Sequence, residues 1–287
     1  MTDQEATMYQ IIGAICEANA PIVFKGALIT KLILAEHDYT VLERKTRDID
    51  ANWIGTPPPM GEIENTINHA LKGLNGRFHA EAHREYGERM SAGLYIIENA
   101  TGENVVSMDI DVRPICGSRV YHYGEVAIKG VLVNEILADK ITVMSGMKLF
   151  RRLKDFVDVY ALTHCVKVKT TDIYEVISNK CLELGEFTEL FTRCNDVEHA
   201  YDMLKGVERK PPFEDVYPYI TAFVRPFAQR NTTPRAWNSD KQAWDDLTRM
   251  VDPRSSVLDQ LREAEQEAPD RPTYPPEKTK HIDELER

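Results

Sequence analysis

No apolar run in this chain of 287 residues reaches the length of a membrane-spanning helix. The best stretch, Ala20 to Ala35, is interrupted by Lys25 and Lys31. Cysteine is sparse and unpaired in pattern: Cys16, Cys116, Cys165, Cys181 and Cys194 are odd in number, widely spaced and without a CxxC motif. That excludes a disulfide framework and a zinc ribbon and reads as reduced thiols. The opening residues, MTDQEATMYQ, lack the basic start and apolar core of a secretory signal. Together these absences predict a cytoplasmic protein with no membrane partner. An excess of basic charge is missing too, since the net charge of −11 excludes a uniformly basic nucleic-acid coat. There is no G-x-x-x-x-G-K-[ST] loop, which excludes a P-loop enzyme, and there are no internal repeats.

What is present is 43% hydrophobic residues, enough to bury a core in one large or two modest domains. Met8, Ile11, Ile12 and Ile15 recur at helical spacing over 5–19. A strand Ile22-Val23-Phe24 then ends at Lys25-Gly26, and a helix is expected from Ala27 to about Glu36. Asp48 to Ile54 reads as a strand, closed by Thr56-Pro57-Pro58-Pro59. Glu62 to Leu74 reads as a helix, and strands follow near Ala92–Glu98 and Asn104–Arg113. From about Val131 the pattern is nearly all helical: Val133–Met144, Lys148–Leu162, Thr170–Leu184, Glu186–Cys194, Val197–Gly206 and Lys241–Met250. After Val251 the chain is rich in Pro, Glu and Asp, with ten acidic and six basic residues, so it reads as a loosely held tail. The expected organisation is an α/β core over 1–130, a helical domain over 131–250 that completes the site, and the tail over 251–287.

Chemistry is concentrated in Arg44-Lys45-Thr46-Arg47-Asp48-Ile49-Asp50. Carboxylates at i and i+2 on a strand point to one face. Like charges side by side repel unless a cation lies between them, and a divalent metal gripping a triphosphate is the usual reason to tolerate that. The structural alternative is a solvated strand end in which Asp48 and Asp50 pair with Arg44 or Arg47. A third carboxylate would come from Asp109 or Asp111, which share one face of the 104–113 strand, with Asp109 favoured. Upstream, Phe24-Lys25-Gly26-Ala27-Leu28 places a glycine turn before a helix N-terminus, where backbone N–H groups can meet phosphate. One glycine alone equally suits a plain strand-to-helix connection. Downstream come Leu137-Ala138-Asp139-Lys140-Ile141 and Arg151-Arg152-Leu153-Lys154-Asp155-Phe156-Val157-Asp158. Arg151–Asp155 and Lys154–Asp158 are also i,i+4 pairs that commonly decorate exposed helices, and Lys140 taken alone reads as a surface lysine. Lys148, Arg151, Arg152 and Lys154 form a candidate basic patch within the acidic chain.

In this order, over roughly residues 20–163, the chain resembles the abortive-infection AbiEii-type nucleotidyltransferase toxins of the DNA polymerase β-like superfamily. The resemblance implies an α+β fold, a polymerase β-like mixed sheet with helices followed by a helical C-terminal region. It implies Mg2+ or Mn2+ on Asp48 and Asp50 with Asp109 or Asp111, and a nucleoside triphosphate held near Lys25, Gly26, Ala27, Arg44, Thr46, Arg151 and Lys154. Lys140 would bind the triphosphate, Asp155 would be the required helical carboxylate, and Asp158 would support it. Where the family commonly carries a second Gly or Ser, this chain has Ala27, so no hydroxyl is available there. Transfer of a nucleoside monophosphate to a tRNA hydroxyl, blocking translation until a cognate antitoxin intervenes, is the implied activity. A protein hydroxyl as acceptor, a nucleotide-binding relative without turnover, and a purely structural interaction protein are the alternatives.

Two further features read as structural. His79 and His83 at i,i+4 lack the zincin order. Trp237 and Trp244, near Arg225, Arg230 and Arg235, suit closure of the helical region better than base stacking on RNA.

Overall fold

The computed structural model describes residues 3–87, 90–147 and 149–247. Helix α1 (Asp3–Glu17) buries Ile11, Ile12 and Ile15 and leads into β1 (Ile22–Lys25) and α2 (Gly26–Glu36). Strands β2 (Glu43–Arg44) and β3 (Asp48–Trp53) follow, then α3 (Met60–Leu71), β4 (Phe78–Arg84), β5 (Ser91–Glu98) and β6 (Asn104–Asp111). A hairpin of β7 (Ser118–Tyr123) and β8 (Val126–Val131) precedes α4 (Val133–Met144). The remaining elements are α5 (Lys154–Cys165), α6 (Thr170–Asn179), α7 (Thr188–Thr192), α8 (Cys194–Asp202), β9 (Val207–Arg209), α9 (Phe213–Ala228), β10 (Arg235–Asn238) and β11 (Ala243–Asp246). The class is mixed α+β, as the sequence implied. Met1–Asp246 forms one compact unit.

Seven strands make one sheet in the order β4-β5-β6-β3-β1-β8-β7. Strand β3 runs parallel to β6 and antiparallel to β1, while β1 runs parallel to β8. The three strands that carry the chemistry are therefore adjacent at the centre. Their registers place Asp50 between Lys25 on one side and Asp109 on the other. Alternation fixes what each side chain meets: Ile49, Ala51, Met108 and Ile110 are fully buried, whereas Asp48, Asp50 and Asp109 keep access to solvent.

Several expectations need correcting. The helix expected at Lys148–Leu162 begins only at Lys154, after a 3-10 turn at Leu149–Arg151, and Lys148 lies outside the described residues. The helix expected at Thr170–Leu184 stops at Asn179, and those expected at Glu186–Cys194 and Val197–Gly206 are shorter and shifted. In place of a helix from Lys241, β10 and β11 form a hairpin in which Trp237 pairs with Trp244 across the ladder. Trp237 Nε1 donates to Tyr219 Oη at 2.7 Å and Trp244 Nε1 to the Phe223 carbonyl at 2.9 Å, both on α9. These indoles close the core against α9. The expected tail over 251–287 lies outside the described residues.

Candidate active site

A cleft of about 510 Å³ opens at the central strands, lined by Lys25, Gly26, Ala27, Arg44, Asp48, Asp50, Asp109, Lys140, Arg151, Lys154 and Asp155. These eleven residues, scattered over more than a hundred positions of sequence, share one cavity. Arg113 and Asp139 line it as well and were given no role from the sequence, and Arg152, read there as part of a basic patch, joins them. Arg113 follows Asp111 by two positions, and that period-two spacing was the available signal.

The glycine turn is built as its sequence requires. Gly26 has φ +67, in the left-handed region. A Cβ there would fall far inside contact distance of the Asp50 carboxylate and 2.9 Å from its Cγ. Only glycine lets the chain turn into α2 this close to Asp50. Helix α2 has no side-chain cap and no acidic residue in its first turn. Its leading N–H groups and positive dipole end thus remain available to an anion beside Gly26 and Ala27.

Burial, reinforced by the charges of Asp109 and Asp48 and partly relieved by Lys25, pushes Asp50 up to about 6. Burial and the Asp109 charge also raise Asp48, against Lys154 and Arg47. Asp109 accepts from Arg84 Nη2 at 2.6 Å while staying half-exposed to the cleft. These are carboxylates held together at an electrostatic cost. Among the described residues no three His, Cys, Asp or Glu side chains already stand at metal-ligand spacing. The donor chemistry nevertheless fits a hard divalent ion: three carboxylates, all oxygen, on adjacent strands, whose mutual repulsion a cation would relieve.

Asp111 stands apart. It is buried, accepts from Lys25 Nζ at 2.8 Å and Arg113 Nη2 at 2.5 Å, and does not line the cleft. Burial alone would raise its carboxyl, but Arg113 and Lys25 overcome this and hold it well below the carboxylate range. The structure thus places Asp109, not Asp111, beside Asp50, because the β3–β6 register sets Asp109 opposite Asp50 and Asp111 opposite Asn52. Thr46 does not line this cleft; it is buried beside Glu5, Met8, Tyr9, Leu28 and Lys31.

Helices α4 and α5 supply the other wall. Lys140 is buried, not a surface lysine, and donates to Asp155 Oδ1 at 2.7 Å and Asp158 Oδ2 at 2.6 Å. Arg44 also donates to Asp158 Oδ2. Burial would lower the Lys140 amine, but Asp155 and Asp158 raise it above the usual lysine value. Burial would likewise raise Asp158, yet Lys140 and Arg44 hold it low. The four groups form a charge-paired buried network. The alternative of i,i+4 surface pairs, Arg151–Asp155 and Lys154–Asp158, is not found among the ion pairs of these residues, because Asp155 and Asp158 face Lys140 across the helix interface. Asp155 opens on the cleft, whereas Asp158 lies behind it.

His79 meets Asn99 and Glu81, and His83 stacks on Tyr95 at 4.0 Å. No helix among the described residues is long and apolar enough to cross a membrane.

No curated protein matches the chain. A solved structure, the nucleotidyltransferase toxin MenT4 (Rv2826c) of Mycobacterium tuberculosis H37Rv, is similar over 64% of this chain and 68% of its own, at 15% identity and a TM-score of 0.41. The sequence pattern of the family described as nucleotidyl transferase AbiEii toxin, type IV TA system, matches residues 15–252. The chain belongs to that family of nucleotidyltransferase toxins.

Proposed function

We propose that the protein transfers a nucleoside monophosphate from a nucleoside triphosphate to an acceptor hydroxyl, with tRNA as acceptor and blocked translation as the outcome. The observation that carries this reading is the shared cleft: strand carboxylates, an open helix N-terminus and a network of Lys140 with Asp155 face one cavity. Family membership supplies the reaction class and a cognate antitoxin as partner. The tRNA acceptor rests on the resemblance given above.

The chemistry follows from the wall residues. The triphosphate lies against the N–H groups that open α2, with Lys25, Arg151 and Arg152 as its counter-charges. Lys140 has three N–H donors, two of them used by Asp155 and Asp158, which leaves one for a phosphate oxygen. Asp48, Asp50 and Asp109 would hold Mg2+ or Mn2+. When bound, such an ion stabilises charge on the attacking and leaving oxygens. The acceptor hydroxyl releases its proton to solvent as its oxygen bonds to the α-phosphorus, the bond from that phosphorus to the α–β bridging oxygen breaks, and pyrophosphate leaves. Asp155, held by Lys140 and exposed to the cleft, orients the acceptor side. Ala27 offers no hydroxyl, so its contribution is a backbone N–H.

Incubation with each labelled triphosphate and total cellular RNA tests the acceptor. Label on tRNA, lost with Asp48→Ala, is the expected result. Label confined to protein would redirect the acceptor assignment, and label retained by the Asp48→Ala variant would overturn the site.

A further inference from the structure

Strand order separates the two sides of the carboxylate trio. In the sheet, β1 lies on one flank of β3, and β6 then β5 lie on the other. Lys25, the Gly26 turn and the N–H groups that open α2 are all on the β1 flank. In phosphoryl transfer the entering and leaving oxygens stand roughly in line across the phosphorus. With pyrophosphate leaving toward the β1 flank, the acceptor hydroxyl approaches from the flank of β6 and β5.

That flank is an open sheet face. Leu94, Ile96, Met108 and Ile110 are fully buried on the core side of β5 and β6. On the other side Tyr95 is 38% exposed, and the Asp109 side chain 47%. The registers run Asp50–Asp109–Gly93 and Asp48–Ser107–Tyr95 across β3, β6 and β5. At about 4.8 Å per strand, Gly93 lies one strand from Asp109, and Tyr95 lies two strands, ~10 Å, from Asp48.

Gly93 makes room for a ring on this face. The β4–β5 register shifts between Ala82 and Arg84, and His83 lies over Gly93, where a Cβ would come within 2.7 Å of the imidazole. There His83 stacks on Tyr95 with ring planes 14° apart. Both residues are exposed. A phosphate does not suit this spot, because Glu81 stands opposite Tyr95 and Asp109 opposite Gly93. A flat, neutral nucleobase does, since any base can stack on an exposed aromatic ring.

We propose that Tyr95 and His83 form the platform on which the terminal base of an acceptor RNA stacks, bringing its ribose hydroxyl to the carboxylates from the β6 side. This rests on the nucleotidyl-transfer reading and narrows the acceptor to an unpaired RNA end.

The test uses the full chain and tRNA carrying 2-aminopurine, whose fluorescence is quenched by stacking, at its 3′ end. The wild type is expected to quench the probe. Tyr95→Ala is expected to lose the quenching and to weaken RNA binding roughly tenfold. Tyr95→Phe keeps the ring and restores both, and His83→Ala weakens both. Magnesium-dependent triphosphate binding, read by calorimetry, stays at the wild-type value in all three. Should Tyr95→Ala lose the wild-type melting curve, His83→Ala carries the test. An unquenched probe on the wild type overturns the platform, as does equal quenching by the folded alanine variants. Label transferred to RNA with an unchanged KM for RNA in those variants also overturns it, while leaving the transferase reading intact. Label found only on protein overturns RNA as the occupant. Quenching that depends on Tyr95, with no label transferred to any acceptor, would sink the transferase reading alone.

Discussion

Asp50 is the residue at which cost and use meet. Folded Asp50 keeps its proton up to about 6, whereas in the unfolded chain it releases it near 3.8. Between those values the native state binds more protons, so its contribution to stability falls as pH rises through that window. Fully ionised, it costs the ligand-free protein on the order of 3 kcal/mol at most. Asp50→Asn is therefore expected to raise the melting temperature at neutral pH, flatten the stability profile between about pH 4 and 6, and abolish transfer. An unchanged pH profile in thermal melts would contradict the assignment of the strain. Divalent-ion affinity of the wild type is expected to rise with pH and level off above about 6, because the ion competes with the Asp50 proton; calorimetry across pH reads this directly. Gly26→Ala should be worse than a simple left-handed penalty of roughly 1–2 kcal/mol, because its methyl must displace the Asp50 carboxylate. Loss of both stability and activity is expected in melts and transfer assays.

Among the elements, α4 depends on α6. Lys180, buried after the end of α6, reaches Asp139 Oδ1 at 3.0 Å and Glu135 Oε2 at 3.4 Å. Glu135 in turn accepts from the Cys116 and Gly117 amides at 2.7 and 2.9 Å. This fixes the helix that carries Lys140. Lys180→Met leaves the buried Glu135 without its counter-charge and should destabilise the fold by about 3 kcal/mol, read by urea unfolding. Such dependence explains what was legible in the sequence. The β1 turn, the Asp48–Asp50 alternation and α4 are written in local spacing, and they appear where expected. Strands β4, β7 and β8 were not recognised, and α9 was hidden by Pro218 and Pro226 inside it. Strand β11 was misread as part of a helix over Lys241–Met250 because its indole is positioned by α9, a tertiary contact. Asp109 and Asp111 were indistinguishable from their own strand; only the register with β3 and the partners Lys25 and Arg113 separate them.

At the scale of the whole molecule, a chain of net charge −11 gathers Lys25, Arg44, Arg113, Lys140, Arg151, Arg152 and Lys154 at one cavity. Local positive charge facing a carboxylate trio suits a metal-bound polyphosphate better than either charge set alone. Binding of triphosphate is accordingly expected to require a divalent ion and to weaken as salt rises. The convergence of these groups is tested most directly by supplying the wild-type protein, Mg2+ and RNA with triphosphate labelled at the α- or the γ-phosphate. The α-label should become covalently attached to RNA and the γ-label should leave as pyrophosphate, both lost in Asp50→Asn. Retention of the γ-label on the acceptor, or equal turnover by the Asp50→Asn variant, would contradict nucleotidyl transfer at this cleft.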